Sequence, residues 1–334
     1  MSPQPDGHFE IPLLKYQGRW PELRHDIISS PLYSDLQSSD SLLSKDFVDA
    51  ALKAVSTGEN IESGLTSHAT LIELTSSGLM DSGISGQDLL RLTQFINQYL
   101  VPDGNVEVTT GFVLNEGRLD LCYAQKVIKS IAGKLRALAT DLRSHCKQLA
   151  KISGVSTPIV RNEDMFLCEC GNFSLVGVQH CVLCHSDLSL MTPISLPRLD
   201  PLFRKFIANN MWAELGVARL LERKGFSTLV GAEIQGVSGR WHEVDVLASD
   251  SNANLTILVE VVSKRANLTE LAPVLLRNLD LQPNRAILVS ILPADDDAVQ
   301  FGLRHGISVI GDVRSTPNKL LKWVECIRSL HSLR

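Results

Sequence analysis

The stretch HEVDVLASDSNANLTILVEVVSKR, residues 242–265, constrains the fold more than any other. Two runs rich in Val, Leu and Ile flank the polar segment SDSNAN, so the stretch reads as two β-strands joined by a turn. Each strand carries one acid in an apolar setting, Asp245 between Val244 and Val246 and Glu260 between Val259 and Val261. With the turn centred between Asn252 and Ala253, Asp245 falls directly opposite Glu260. Opposed side chains on one face of a hairpin have Cβ atoms ~4.5–5.5 Å apart. Two carboxylates that close repel unless a divalent cation sits between them, so the register predicts a hard-metal site. Acids in hairpins also serve as edge-strand charges that deter aggregation. The apolar neighbours of both acids argue for central strands instead.

The surrounding sequence supplies the rest of a sheet. NNMWAELGVARLLERKGF predicts a helix ended by Gly225, followed by the strand STLVGAEIQ, the turn GVSGR and the acidic hairpin. After it come a helix around LTELAPVLLRNLDL, the apolar strand RAILVSI, the helix ADDDAVQFGLRHG, the strand ISVIGD and a terminal helix. A wholly apolar strand belongs in the middle of a sheet covered on both faces. This order predicts an α/β C-terminal domain over 203–334, a mixed sheet flanked by helices.

A chain of 334 residues exceeds one ordinary core, so two or three domains are expected. Hydrophobic content of 44% and charged content of 21% describe a folded protein, and no apolar run approaches the ~18 residues a membrane span requires. The start, MSPQPDGHFEIPLL, lacks the basic-then-apolar pattern of a secretion signal, so a cytoplasmic address is expected. A net charge of −5 means that any contact with nucleic acid comes from local basic patches.

Four of the seven cysteines crowd into CECGNFSLVGVQHCVLC: Cys168, Cys170, Cys181 and Cys184. In a reducing compartment such crowding favours a metal over disulfides. Two short knuckles joined by a turn supply the four soft ligands of tetrahedral Zn²⁺, and a closed shell of four makes the metal structural. Cys-x-x-Cys has the usual knuckle spacing; Cys-x-Cys is tighter, with Gly171 relaxing its turn. His180 and His185 flank the second pair as substitute ligands, and four free thiols at a hairpin are the alternative. The segment 161–192 resembles a zinc ribbon, a module often attached to nucleic-acid enzymes.

The N-terminal part predicts a loosely ordered lead-in over 1–40 and a mainly helical domain over 41–160. SLLSKDFVDAALKAVSTGEN and SGQDLLRLTQFINQYL read as helices, and NVEVTTGFVL as a strand. Ile128, Ile131, Leu135, Leu138, Leu142, His145, Leu149 and Ile152 follow alternating three-four spacing and stop before Gly154. That seam predicts one long helix packed in a helical domain, or a homodimer formed through the 128–152 helix. Lys129, Arg136 and Arg143 recur every seven residues along one face, either as a solvated surface or as a phosphate-tracking stripe. Three prolines in TPISLPRLDP predict a stiff linker over 193–202.

The region from Trp212 to about Asp312 resembles the PD-(D/E)XK restriction-endonuclease-like superfamily, most closely its Mrr-type branch. AELGVARLLERKGF is similar to the branch's opening helix, with Glu214 at the acidic position; SGRWHEVDVLA is similar to its first catalytic strand, with Asp245 at the metal-binding aspartate. LVEVV falls where the family has acid-x-lysine, so Glu260 matches the acid, and AVQFGLRHGISVIGD is similar to the closing helix and strand. The resemblance covers about a third of the chain. It implies a Mg²⁺- or Mn²⁺-dependent endonuclease that hydrolyses phosphodiester bonds, with DNA as the expected substrate and a restriction, repair or defence role. It also implies that Asp245, Glu260 and the carbonyl of Val261 hold the metal, with Glu214 assisting through water.

One position departs from the pattern. Val262 stands where the family has its lysine, and the next lysine is Lys264. Along a continuing strand Lys264 shares the face of Glu260 and starts about 6.8 Å further on, within reach of its own side chain. Three readings follow: a nuclease with Lys264 as its displaced catalytic lysine, an inactive nuclease fold that binds nucleic acid, or a scaffold subunit of a larger complex.

Overall fold

The computed structural model describes residues 8–10, 16–77, 92, 94, 98, 121–189 and 191–332. The chain divides into two compact units, one of residues 1–49, 149–157 and 201–334, the other of residues 50–148 and 158–200. Neither unit is continuous in sequence, whereas the sequence suggests domains in series. Among the described residues no helix is long and apolar enough to cross a membrane.

The first unit is α/β, built on a seven-stranded mixed sheet. Its strands are β1 (His8–Glu10), β2 (Gln17–Arg19), β6 (Ser227–Gln235), β7 (Trp241–Asp250), β8 (Leu255–Val262), β9 (Arg285–Ser290) and β10 (Ile307–Ile310), side by side in that order. The first five run antiparallel to their neighbours, and β8, β9 and β10 are parallel. Parallel neighbours need crossovers, here the helices α7 (Leu268–Leu281) and α8 (Asp296–Arg304). Helix α6 (Met211–Glu222) precedes β6, and α9 (Asn318–Ser332) ends the described chain. Strand β8 is buried over seven of its eight residues, as an apolar run covered on both faces must be.

Residues 1–40, expected as a loosely ordered lead-in, instead contain β1, β2 and the helices α1 (Glu22–Ile28) and α2 (Pro31–Gln37). Strand β2 pairs with β6 through Gly18↔Ile234 and Arg19↔Glu233, so this segment extends the mixed sheet. A three-residue strand carries no periodic signal of its own; its order comes from the edge of β6.

In the second unit lie most of the long helices α3 (Lys45–Ser77) and α4 (Leu121–Ser153), and a three-stranded sheet of β4 (Phe173–Leu175), β3 (Val160–Leu167) and β5 (Ile194–Leu199), side by side in that order. Ile128, Ile131, Leu135, Leu142 and Leu149 are fully buried within this one chain, and Cys146 rather than His145 continues their stripe. A second copy meeting α4 would have to use another of its faces. Gly154, in the left-handed region, ends the helix by donating its N–H to the Ala150 carbonyl at 2.9 Å.

The stretch 193–202, expected as a stiff linker, is instead mostly strand. Strand β5 (Ile194–Leu199) pairs with β3 (Val160–Leu167) over six residues, from Val160↔Leu199 to Met165↔Ile194. Pro197 is compatible with the sheet because β5 is an edge strand, where a missing N–H faces away from the ladder. Pro201 then opens α5 (Pro201–Ala208), the helix position that tolerates proline best. The helix expected over 85–100 is described only at Leu92, Gln94 and Gln98, all helical, and the strand expected over 105–114 lies outside the described residues.

Candidate functional site

Strands β7 and β8 pair in the register read from the sequence: Val246↔Val259, Leu247↔Leu258, Ala248↔Ile257, Ser249↔Thr256 and Asp250↔Leu255. The ladder stops one pair short of Asp245 and Glu260. There the Asp245 carboxylate takes over from the backbone, its Oδ2 accepting the N–H of Val261 at 2.7 Å. On the other side, β6 and β7 pair through Val230↔Val246 and Ala232↔Val244 but not at Gly231 and Asp245 between them. Val244 and Leu247 join one apolar cluster, although odd spacing in a flat strand puts residues on opposite faces. Asp245 thus occupies a break in both ladders.

Four carboxylates gather at this break. Glu214, in the first turn of α6, is 3% exposed, and Glu260 is 6% exposed. Asp245 is partly buried, and Glu243 is exposed. Two arginines reach them. Arg24, from α1, donates to both oxygens of Glu214 at 2.5 and 3.1 Å and pairs with Glu243 at 2.7 Å. Arg277, from α7, donates to Oε2 of Glu260. Gly231 lets Arg24 in: a Cβ there would lie 2.4 Å from Nη1 of Arg24, and its φ of +62° is a conformation that favours glycine.

Burial, and then the charge of Asp245, raise Glu214 to about 8 and hold Glu260 well above the ordinary glutamate range. Burial likewise raises Asp245, opposed by the Val261 N–H and Arg24. Glu260 carries a further signature: its Oε1 is buried with no hydrogen-bond partner among the described residues. An orphaned carboxylate oxygen beside other buried acids is costly, unless a cation completes the group.

The structure does not bring Lys264 to this site. Strand β8 ends at Val262, so the alternation that would aim residue 264 at Glu260 does not continue. Buried Ser290 holds the Lys264 backbone, its hydroxyl donating to the Lys264 carbonyl at 2.7 Å. The lysine side chain is 68% exposed and pairs with Glu270 at 2.7 Å. Arg265 pairs with Asp295. Val262 packs against the apolar cluster of the sheet, a sufficient reason for its being apolar. Val261 presents its N–H, not its carbonyl, to Asp245.

The sequence reading missed both arginines. Arg277 had a detectable signal. It lies three residues after buried Val274 and four before buried Leu281, a charge on the inward stripe of α7. Arg24 had an indirect one, since an isolated glycine inside a strand marks a close approach by another group.

The second candidate centre is the cysteine cluster. The four sulfurs of Cys168, Cys170, Cys181 and Cys184 all lie within 4.8 Å of one another, the closest pairs at 3.3 and 3.4 Å. Zn–S bonds of ~2.3 Å at tetrahedral angles put sulfurs roughly 3.8 Å apart, so this donor set fits a metal such as zinc. Neither His180 nor His185 joins the group. The first knuckle closes through Gly171 N–H to Cys168 O at 2.8 Å, the second through His185 N–H to Cys181 O at 2.9 Å. Buried His68 of α3 bonds the Gly171 carbonyl through Nε2 at 3.0 Å. Gly171, at φ +94°, sits so close to α4 that a Cβ would meet the Lys129 Cα at 3.0 Å. In the predicted basic stripe, Lys129 and Arg136 are exposed, whereas Arg143 donates to the Ser195 carbonyl.

No family model and no curated protein matches the chain. Among solved structures it is similar to a protein of unknown function, AF1548, at 22% identity over 31% of this chain and 58% of that one, with a TM-score of 0.27. It is similar to Can2 from Sulfobacillus thermosulfidooxidans, solved with cyclic tetra-adenylate, at 21% identity, 38% and 39% coverage and a TM-score of 0.32. With VC1899 from Vibrio cholerae the identity is 16%, the coverage 92% and 58%, and the TM-score 0.37. The chain thus spans less than two thirds of each of these proteins.

Proposed function

We propose that the first unit is a restriction-endonuclease-like domain that hydrolyses phosphodiester bonds in nucleic acid, DNA in the first instance, with a divalent cation at Asp245 and Glu260. The observation that carries this reading is the unpartnered, buried Oε1 of Glu260 in a cluster with unbalanced charge. When all four are ionised, Glu214, Glu243, Asp245 and Glu260 set four negative charges against two positive ones from Arg24 and Arg277. The remaining formal charge of −2 is balanced by one divalent cation that displaces their protons. Oxygen-only donors suit Mg²⁺ or Mn²⁺.

When bound, such an ion supplies Lewis acidity and lowers the pKa of coordinated water. The chain's own residues do the rest. Asp245 is fixed by the Val261 N–H, so one of its oxygens is committed to the backbone. Arg24 and the first turn of α6 fix Glu214 at the rim of the same cluster. The zinc-ribbon-like module is a structural element under this reading.

One observation favours the alternative, a nuclease fold that binds nucleic acid without cutting it: Val262 fills the lysine position and Lys264 is paired elsewhere. Titrating Mn²⁺ into the whole protein by calorimetry, and incubating it with duplex and single-stranded DNA and RNA, separates the two. The proposed function expects about one Mn²⁺ per chain at this site, cleavage of at least one substrate, and loss of both in Asp245→Asn. Nucleic-acid binding with neither Mn²⁺ uptake nor cleavage establishes the alternative.

A further inference from the structure

We propose that Arg277 is the cationic positioning residue of this site, supplying from helix α7 the positive charge that β8 lacks at Val262. The inference rests on the proposed phosphodiesterase function.

Leu258, Glu260 and Val262 alternate onto one face of β8. Helix α7 covers that face, since Leu258 shares an apolar cluster with Leu271, Val274 and Leu281 of the helix, and Val262 packs against it. Arg277 lies on the same stripe and is directed at Glu260 by helix periodicity alone. Its guanidinium holds Oε2 of Glu260 and leaves Oε1 buried and without a partner among the described residues. A carboxylate gripped at one oxygen cannot turn, so its second oxygen keeps one direction.

The helix bearing Arg277 is held at both ends. At its start, Asn267 Oδ1 accepts the N–H of Thr269 at 2.9 Å. Near its end, Asp280 accepts from His242 at 2.5 Å and from the Ser238 hydroxyl at 2.7 Å. The Tyr16 hydroxyl donates to the Leu281 carbonyl at 2.5 Å. Groups that fix a metal ligand in this way change metal affinity by about 10–100-fold when removed.

The test uses the whole protein, with Mn²⁺ as the metal probe and a nucleic acid that the wild type cuts. Arg277→Ala should weaken Mn²⁺ binding by about tenfold or more and slow cleavage by a larger factor. Arg277→Lys should recover part of both. In the Arg277→Ala background, Val262→Lys should restore cleavage, because the new lysine emerges on the face of Glu260. Denaturation curves identify the variants that fold, and Arg277→Gln carries the test should Arg277→Ala not fold. A folded Arg277 variant with unchanged Mn²⁺ affinity and cleavage overturns the assignment while leaving the proposed function standing. A double variant no more active than Arg277→Ala also overturns it, by showing a contact that is structural only. A wild type that neither takes up Mn²⁺ nor cuts overturns the proposed function itself, a separate and earlier failure.

Discussion

Arg24 and Glu214 form the most enclosed ion pair of the site, with side chains 10% and 3% exposed. Removing one member of a buried pair leaves an uncompensated charge, at a cost of about 3–5 kcal/mol. Arg24→Ala should therefore lower unfolding stability by about that much in chemical denaturation above pH 8, where Glu214 is ionised in the wild type. Adding Glu214→Gln to Arg24→Ala should recover part of the loss, because a neutral amide replaces the stranded carboxylate. A double variant as unstable as the sum of the two singles would show that the pair is not coupled. The same acids give a pH dependence with a definite sign. Glu214 is raised from 4.5 to about 8, so its contribution to stability is fully present below 4.5 and is lost as pH rises through 8. The metal-free protein should lose melting temperature between pH 5 and 8.5, and Mn²⁺ should protect it increasingly over the same range by displacing protons. Protection by Mn²⁺ that is flat across that range would contradict metal binding at these carboxylates. The register of β7 against β8 was readable because a hairpin register is a local quantity set by the turn. Arg24 was not, because it meets its acid 190 residues away in sequence, through a gap whose only trace is Gly231.

At the scale of elements, the cysteine cluster joins three separate segments at one glycine. Gly171 is bonded by His68 of α3 and backed by Lys129 of α4, while its knuckle carries two of the four cysteines. The protein purified without chelator should contain about one zinc per chain by elemental analysis, and Cys181→Ser should release it. Ligand binding and folding are one free energy in such modules, so release should also melt β3 and β4. Zinc near zero in the wild type, with the module folded, would leave four thiols and no metal centre. The alternating elements from α6 to α9 were readable, since each carries its own pattern within four to fifteen residues. Strand β5 was not, because three prolines in ten residues mimic a linker, and only its place at a sheet edge makes Pro197 compatible with pairing. The seam of α4 was readable as a helix, yet its spacing alone could not say whether it is covered by this chain or by another.

For the whole molecule, a net charge of −5 requires that nucleic acid be met by a local surface rather than by the general field. The stripe Lys129, Arg136 and Arg143 is the surface proposed from the sequence, and its members differ in exposure. Lys129 and Arg136 are exposed, whereas Arg143 is partly buried and commits its guanidinium to the Ser195 carbonyl. Each duplex phosphate neutralised by a cation contributes about −0.9 to the slope of log affinity against log salt. If the stripe tracks phosphates, changing Lys129 and Arg136 together to Gln should make that slope shallower by about two. Arg143→Gln alone should alter it by less than one, since its contact is already satisfied within the chain. Fluorescence anisotropy of a labelled duplex at several salt concentrations measures both. The substitutions lie on the outer face of α4, away from its buried seam, so stability should change by less than about 0.5 kcal/mol. A double variant with unaltered affinity and slope would make the stripe a solvated face, and phosphate contacts would then have to come from cations elsewhere on the chain.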